Sequence, residues 1–122
     1  MNVLVTGAGG LIGSEAVAYY GGLGHAVIGL DNNMRREFFG PGGDVTWNLE
    51  RLKASVEMFR HLALDIRDRA ALAELFAAQR FDLIVHCAAQ PSHDKARDIP
   101  LLDFEVNALG TINLLEMARQ HC

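Results

Sequence analysis

The chain begins Met1-Asn-Val-Leu-Val-Thr-Gly-Ala-Gly-Gly-Leu-Ile-Gly13, an apolar run that breaks into glycines and resumes as a helix-forming segment. Asn2 to Thr6 is short and rich in Val and Leu without clean alternation, the pattern of a parallel strand buried on both faces. Gly7, Gly10 and Gly13 then fall at G-x-x-G-x-x-G spacing, and Gly9 supplies a G-x-G start. A strand that turns sharply into a helix, brings its backbone against a pyrophosphate and lays the helix tight on the sheet needs residues without a Cβ at these positions. The pyrophosphate sits at the helix N-terminus, where free N–H groups and the helix dipole favour an anion. An isolated glycine pattern is equally an ordinary turn. The strand before it, the helix after it and a second strand in place favour a dinucleotide loop.

Leu11 to about Tyr20 reads as the first helix, with Ile12, Ala16 and Tyr19 or Tyr20 near one face, ended by Gly21, Gly22 and Gly24. Ala26 to Leu30 is a second buried strand that ends in Asp31. An acidic side chain there, roughly twenty positions past the glycine loop, is the hydrogen-bond acceptor that a ribose 2′-hydroxyl needs. The same carboxylate repels a 2′-phosphate, which favours NAD over NADP. Arg35 and Arg36 pull the other way, since an arginine just beyond the strand pairs with that phosphate. The structural alternative for Asp31 is a turn or cap residue.

Asn32 to Phe59 is a long excursion for such a connection. Phe38 to Gly43 is a loop by composition, and Phe38 and Phe39 either meet a ligand or, as favoured here, pack on the sheet. Thr46 is expected to cap a short helix from Trp47 to about Ser55, with Trp47, Leu52 and Val56 available for packing. Phe59 to Leu64 is the third strand; Asp68 caps the next helix, whose Leu72, Leu75 and Phe76 form a core stripe. Phe81 to Cys87 is the fourth strand and opens into the loop Ala88 to Asp94. His86 reads as a hydrogen-bonded core histidine, and His93 lies on the loop, where a histidine can touch substrate. A last helix runs from Pro100 to about Gln120, with Phe104, Ala108, Thr111, Ile112 and Leu115 on one side. Asn107 shares that side and needs hydrogen-bond partners, and Gly110 implies close packing. This order is that of a doubly wound α/β parallel sheet of Rossmann type, with right-handed crossovers placing the strands 3-2-1-4.

At 122 residues, half of them hydrophobic, the chain is expected to form one domain with a core. A formal charge of −4 argues against nucleic acid or an anionic membrane as the main partner. No apolar run approaches about 18 residues and Met1 leads directly into the first strand, so a cytoplasmic location is expected. Cys87 and Cys122 form neither a disulfide framework nor a C-x-x-C, and the five histidines lack ligand spacing, so no metal site is expected.

Thr6-Gly-Ala-Gly-Gly-Leu-Ile-Gly13, Asp31-Asn32, Asp65-Ile66, His86-Cys-Ala-Ala-Gln90 and Asn107-Ala-Leu-Gly-Thr111 together resemble the extended short-chain dehydrogenase/reductases, specifically the NAD-dependent nucleotide-sugar epimerases and dehydratases. Within that family, Asp31 to Gly40 and Ala89 to Asp94 look most like the CDP-paratose 2-epimerase branch. The resemblance implies pyrophosphate contacts at Gly7, Gly10, Leu11, Ile12 and Gly13, with Asp31 and Asn32 at the adenosine ribose and Arg35 nearby. It implies Asp65 and Ile66 beside the adenine, and Ala88, Ala89 and Gln90 on the nicotinamide side with Asn107 supporting them from behind. Ser92 and His93 would stand at the mouth of the pocket for a nucleotide-sugar substrate.

One departure matters for chemistry. The family's Tyr-x-x-x-Lys pair is absent, since Tyr19 and Tyr20, the chain's two tyrosines, are followed four residues later by Leu23 and Gly24. The resemblance therefore implies the N-terminal part of the NAD-binding domain, residues 1–122, without catalytic residues and inactive alone. The parent is expected to oxidise and re-reduce a sugar carbon. A 4-epimerase or 4,6-dehydratase of the same family and a non-catalytic NAD-binding module remain open as alternatives. The fourth strand is expected to lie at a sheet edge, leaving the chain weakly stable or self-associating.

Overall fold

Each short apolar run becomes a strand: β1 (Asn2–Thr6), β2 (Ala26–Leu30), β3 (Phe59–Leu62) and β4 (Leu83–His86). In the computed structural model, which describes Met1–Cys122, they pair all parallel in the order β3-β2-β1-β4. Val3 stands opposite both Val27 and Leu83, and Val27 opposite Phe59. The helices are α1 (Leu11–Gly22), α2 (Met34–Phe39), α3 (Thr46–Ser55), α4 (Arg69–Ala78), α5 (His93–Asp98), α6 (Pro100–Phe104) and α7 (Gly110–His121). A π-helical turn, Glu105–Leu109, joins α6 to α7, and the backbone stays right-handed helical through Phe104, Leu109 and Gly110. None of these helices is long and apolar enough to cross a membrane.

Strand alternation splits the core in two. Val3, Val5 and Val27 face one side of the sheet, where Val17 of α1 and Leu49 and Leu52 of α3 cover them. Leu4, Ile28 and Leu30 face the other, against Leu72, Leu75 and Phe76 of α4 and Leu114 and Met117 of α7. Helices on both faces make this the doubly wound arrangement expected from the element order.

Several details differ from the sequence reading. Helix α1 continues through Gly21 and Gly22, with Gly21 giving Val56 room to pack against it, and the chain turns instead at Gly24 with φ +82°. Its buried face is Gly13, Ser14 and Val17, while Ile12 and Tyr19 are exposed. The stretch containing Phe38 and Phe39 is helix α2 followed by a 3-10 turn at Pro41–Gly43 rather than a loop. Thr46 is the first residue of α3, not its cap; the Asp44 carboxylate accepts the Thr46 N–H at 2.8 Å. Trp47 is 69% exposed, so α3 packs through Leu49 and Leu52 instead. The strands stop short, β3 at Leu62 and β4 between Leu83 and His86.

The C-terminal helix buries the opposite side from the expected one. Val106, Gly110, Asn113, Leu114 and Met117 face inward, while Phe104, Ile112 and Leu115 are exposed. Apolar residues recur at helical spacing on both sides, so periodicity alone does not choose between them. Asp68 caps α4 as expected, accepting the Ala71 N–H at 3.0 Å.

Leu72 is fully buried and Trp47 is not. Leu72→Ala is expected to cost about 2–5 kcal/mol in urea unfolding and Trp47→Ala no more than about 0.5 kcal/mol.

Candidate functional site

The carboxyl ends of β1, β2 and β4 open into one cleft of about 240 Å³, the place where an open parallel sheet binds ligands. Its floor is the β1–α1 turn. Gly7 sits at φ +67°, and an added Cβ would stand 2.8 Å from the Ala88 nitrogen. A Cβ on Gly13 would drive into the Gly7 carbonyl. Gly10 precedes α1 without any side-chain cap, so the first-turn N–H groups of Leu11, Ile12 and Gly13 are left at the cleft those residues line.

Asp31 lines the cleft at the end of β2. Its Oδ2 accepts the Gly9 N–H at 2.9 Å and its Oδ1 the Asn33 N–H at 2.8 Å. The turn role therefore leaves room for a ligand, since each carboxylate oxygen keeps a lone pair for a further donor. Asn32 and Arg35 also line the cleft, and the Arg35 guanidinium lies 5.5 Å from the centre of the Phe39 ring. Phe38 is buried, Phe39 is partly exposed, and both reach the lining, so the pair packs on the domain and faces the cleft at once.

Asp65 and Ile66 form the next wall. Burial works to raise the Asp65 pKa, but the Arg67 guanidinium, with its Nη2 donating at 2.6 Å and its Nε at 3.0 and 3.1 Å, outweighs it and holds the carboxyl below the usual range. Ile66 packs where a Cβ on Gly110 would be, which is the close approach that glycine permits. Behind this wall Asn113, fully enclosed, donates to the Ile66 carbonyl at 3.0 Å and accepts from Arg69 at 3.2 Å.

Ala88 and Ala89 line the opposite side, with Cys87 and Pro91. Gln90 and Asn107 do not. Gln90 is 4% exposed and turned inward, its amide donating to the Asp103 carboxylate at 2.8 Å and to the Ser92 carbonyl at 3.0 Å. Asn107 accepts the Gln90 N–H at 2.8 Å and donates to the Gln90 carbonyl at 3.0 Å, so it supports the loop from behind as expected. Ser92 and His93 lie off the lining: Ser92 caps α5, accepting the Lys95 N–H, and His93 is that helix's first residue. A serine directly after the proline starts a helix there, which the loop reading overlooked. His86 is hydrogen-bonded as expected but exposed, because β4 is an edge strand.

The sequence reading missed Leu30, Met34, Val45, Leu64 and Val106 in the lining. They are ordinary apolar residues, of which Met34 and Val45 bound the 34–45 excursion, and no motif marks them.

A glycine turn, an uncapped helix start, an acid at the end of β2 and a small-residue wall after β4 define a dinucleotide-binding domain of Rossmann type. Residues 3–122 match the NAD dependent epimerase/dehydratase family, and the chain belongs to that family. It is 35% identical over 125 residues to UDP-glucose 4-epimerase 2 of Oryza sativa subsp. japonica, covering 98% of this chain and 28% of the relative. It is 33% identical over 121 residues to CDP-paratose 2-epimerase of Salmonella typhi, covering 99% and 33%. Among solved structures it is similar to UDP-glucose-4-epimerase from Stenotrophomonas maltophila with bound NAD and formylated UDP-arabinopyranose, with a TM-score of 0.81 and 32% identity over 98% of this chain and 33% of that one. The chain thus spans about a third of the length of these proteins.

The Asp65–Arg67 pair carries a pH signature. Asp65 ionises more readily folded than unfolded, so its contribution is complete above the ordinary value of 3.8 and is lost as pH falls through the lower folded value. Arg67→Met is expected to remove that acid-side loss from a stability–pH profile.

Proposed function

We propose that this chain is the NAD-binding portion of a nucleotide-sugar epimerase of the CDP-paratose 2-epimerase type. The observation that carries the reading is that residues from four separated motifs, chosen by sequence, line one cleft: the glycine turn, Asp31-Asn32 with Arg35, Asp65-Ile66, and Ala88-Ala89. Bound NAD supplies reversible oxidation of a sugar carbon. The chain's own part is to bind and orient. The α1 N-terminus takes the pyrophosphate, Asp31 accepts a hydrogen bond from the adenosine ribose, and Asp65 and Ile66 bound the adenine. The Ala88-Ala89 backbone leaves room along the nicotinamide. Asn32 and Arg35 flank the ribose, while Gln90 and Asn107 contribute by holding the loop. Ser92 and His93, which start α5 beyond the cleft lining, would stand near the mouth of the sugar pocket.

The CDP-paratose assignment draws on the Asp31–Gly40 and Ala89–Asp94 segments and on the Salmonella typhi relative. A UDP-sugar 4-epimerase is the second reading, supported by relatives 35% and 39% identical to this chain that carry the name UDP-glucose 4-epimerase. The two are separated by assaying the complete enzyme with CDP-paratose and with UDP-glucose; turnover of UDP-glucose alone would discard the first. This chain, without a Tyr-x-x-x-Lys pair, is expected to turn over neither.

Calorimetric titration tests the cofactor assignment. NAD is expected to bind saturably and NADP much more weakly, with Asp31→Ala weakening NAD by about tenfold or more, as loss of a charge-assisted hydrogen bond implies. Equal affinity for both nucleotides, or an Asp31→Ala variant that binds NAD like the wild type, would refute the role given to Asp31. For the partner surface, β4 is an edge whose Leu83, Ile84 and Val85 are only half-buried. We propose self-association through it, seen as concentration-dependent sedimentation; a monomer across the full concentration range is the contrary result.

A further inference from the structure

His86 is joined to the cleft wall by a set of hydrogen bonds whose directions leave no freedom. Thr111 Oγ1 donates to the Asn107 carbonyl at 2.6 Å, so toward His86 Nε2, 3.0 Å away, it is the acceptor and Nε2 carries the hydrogen. On the other side, Thr6 Oγ1 accepts the Cys87 and Ala88 N–H groups, both at 3.1 Å, which occupies its lone pairs. Its own hydrogen goes to His86 Nδ1 at 2.6 Å, which is the bare nitrogen. The ring is therefore neutral and protonated on Nε2.

The consequence lies in what this ring connects. Thr6 ends β1 and is fully enclosed, while Thr111 and Asn107 belong to the helix behind the sheet. Between them hangs the 87–90 segment, pinned at Cys87 and Ala88 by Thr6 and at Gln90 by Asn107. Ala88 and Ala89 at its centre line the cleft. We propose that His86, in its Nε2–H form, is a positioning residue that ties the Thr6 end of this segment to the Asn107 end and so sets the nicotinamide-side wall.

The groups facing the ring are uncharged: the Thr6 hydroxyl from β1 and, from the helix, the Thr111 hydroxyl with the Asn107 carbonyl behind it. Titratable groups attached to the network are the adjacent Cys87 thiol and the Asp103 carboxylate, reached through Asn107 at 3.1 Å. An imidazolium would present a second N–H to Thr6, whose lone pairs are taken, so that Cys87 or Ala88 would have to let go. Although His86 is at an exposed edge, its ring is wedged between the two hydroxyls, and this partial burial holds its pKa below the ordinary 6.5.

The proposal rests on the cleft being the NAD site, and its test separates the two ideas. Binding of NAD and of ADP-ribose, which lacks the nicotinamide, is measured for the wild-type chain, Thr111→Val and Thr111→Ser. Thr111→Val should weaken NAD by about fivefold with ADP-ribose changed less than about twofold, and Thr111→Ser should restore it. Equal changes for both ligands, or no change, overturn the proposal. In parallel, nitrogen NMR of the wild type should find His86 protonated on Nε2, with the Cys87 and Ala88 amides shifting at its own titration midpoint, below about 6.5. An Nδ1–H ring, or amides indifferent to that titration, overturns it on its own. If the wild type binds neither nucleotide, the cofactor reading falls and the NMR result alone decides the positioning role.

Discussion

The structure depends on how closely the ends of β1 and β4 approach. Gly7 turns at positive φ directly against the Cys87–Ala88 backbone, leaving no room for a side chain, and the Thr6 hydroxyl one residue earlier accepts both N–H groups of that backbone. Strand ends in a parallel sheet present polar groups that no neighbour in the ladder satisfies. Here the Cys87 N–H is shared between the Thr6 carbonyl and hydroxyl, the Ala88 N–H goes to the hydroxyl alone, and the glycine turn can then close over them. The cleft is the space left between this junction and the tip of β2.

The helix behind the sheet holds the walls apart. Asn107 grips Gln90 on one side and Asn113 grips Ile66 on the other, two amides on one continuous helix fixing the two faces of one cleft. Between them lie the end of the π-helical turn and Gly110, against which Ile66 packs. A π turn inserts one residue into the helical repeat, and such insertions recur at functional sites. In this chain Asn107 falls within it. The two walls are therefore tied to a single element.

Most of the framework was legible because its signals are local. Four short apolar runs, the glycine spacing, Asp68 before a core stripe and Pro100 at a helix start each depend on a few neighbouring residues, and each appears where expected. What escaped depends on distant contacts. The helical state of Phe38 and Phe39, the exposure of Trp47 and the inward face of α7 are chosen by tertiary packing among sequence options of similar merit. For the site, the motif residues were readable one by one, but not their division of labour. Gln90 has the look of a lining residue and is a buried strut, while Thr6, Asn113 and His86 look like filler and hold the walls. Hydrogen-bond direction decides that division, and a linear sequence does not display it.

The most direct measurement of the central claim is amide chemical-shift mapping of NAD onto this chain. The account predicts saturating perturbations at Gly7 to Gly13, at Asp31 and Asn32, at Asp65 and Ile66, and at Ala88 and Ala89, with Trp47 and the exposed Ile112 and Leu115 of α7 silent. Perturbations gathered on that helical face, or none in a chain whose spectrum is that of a folded protein, would contradict it.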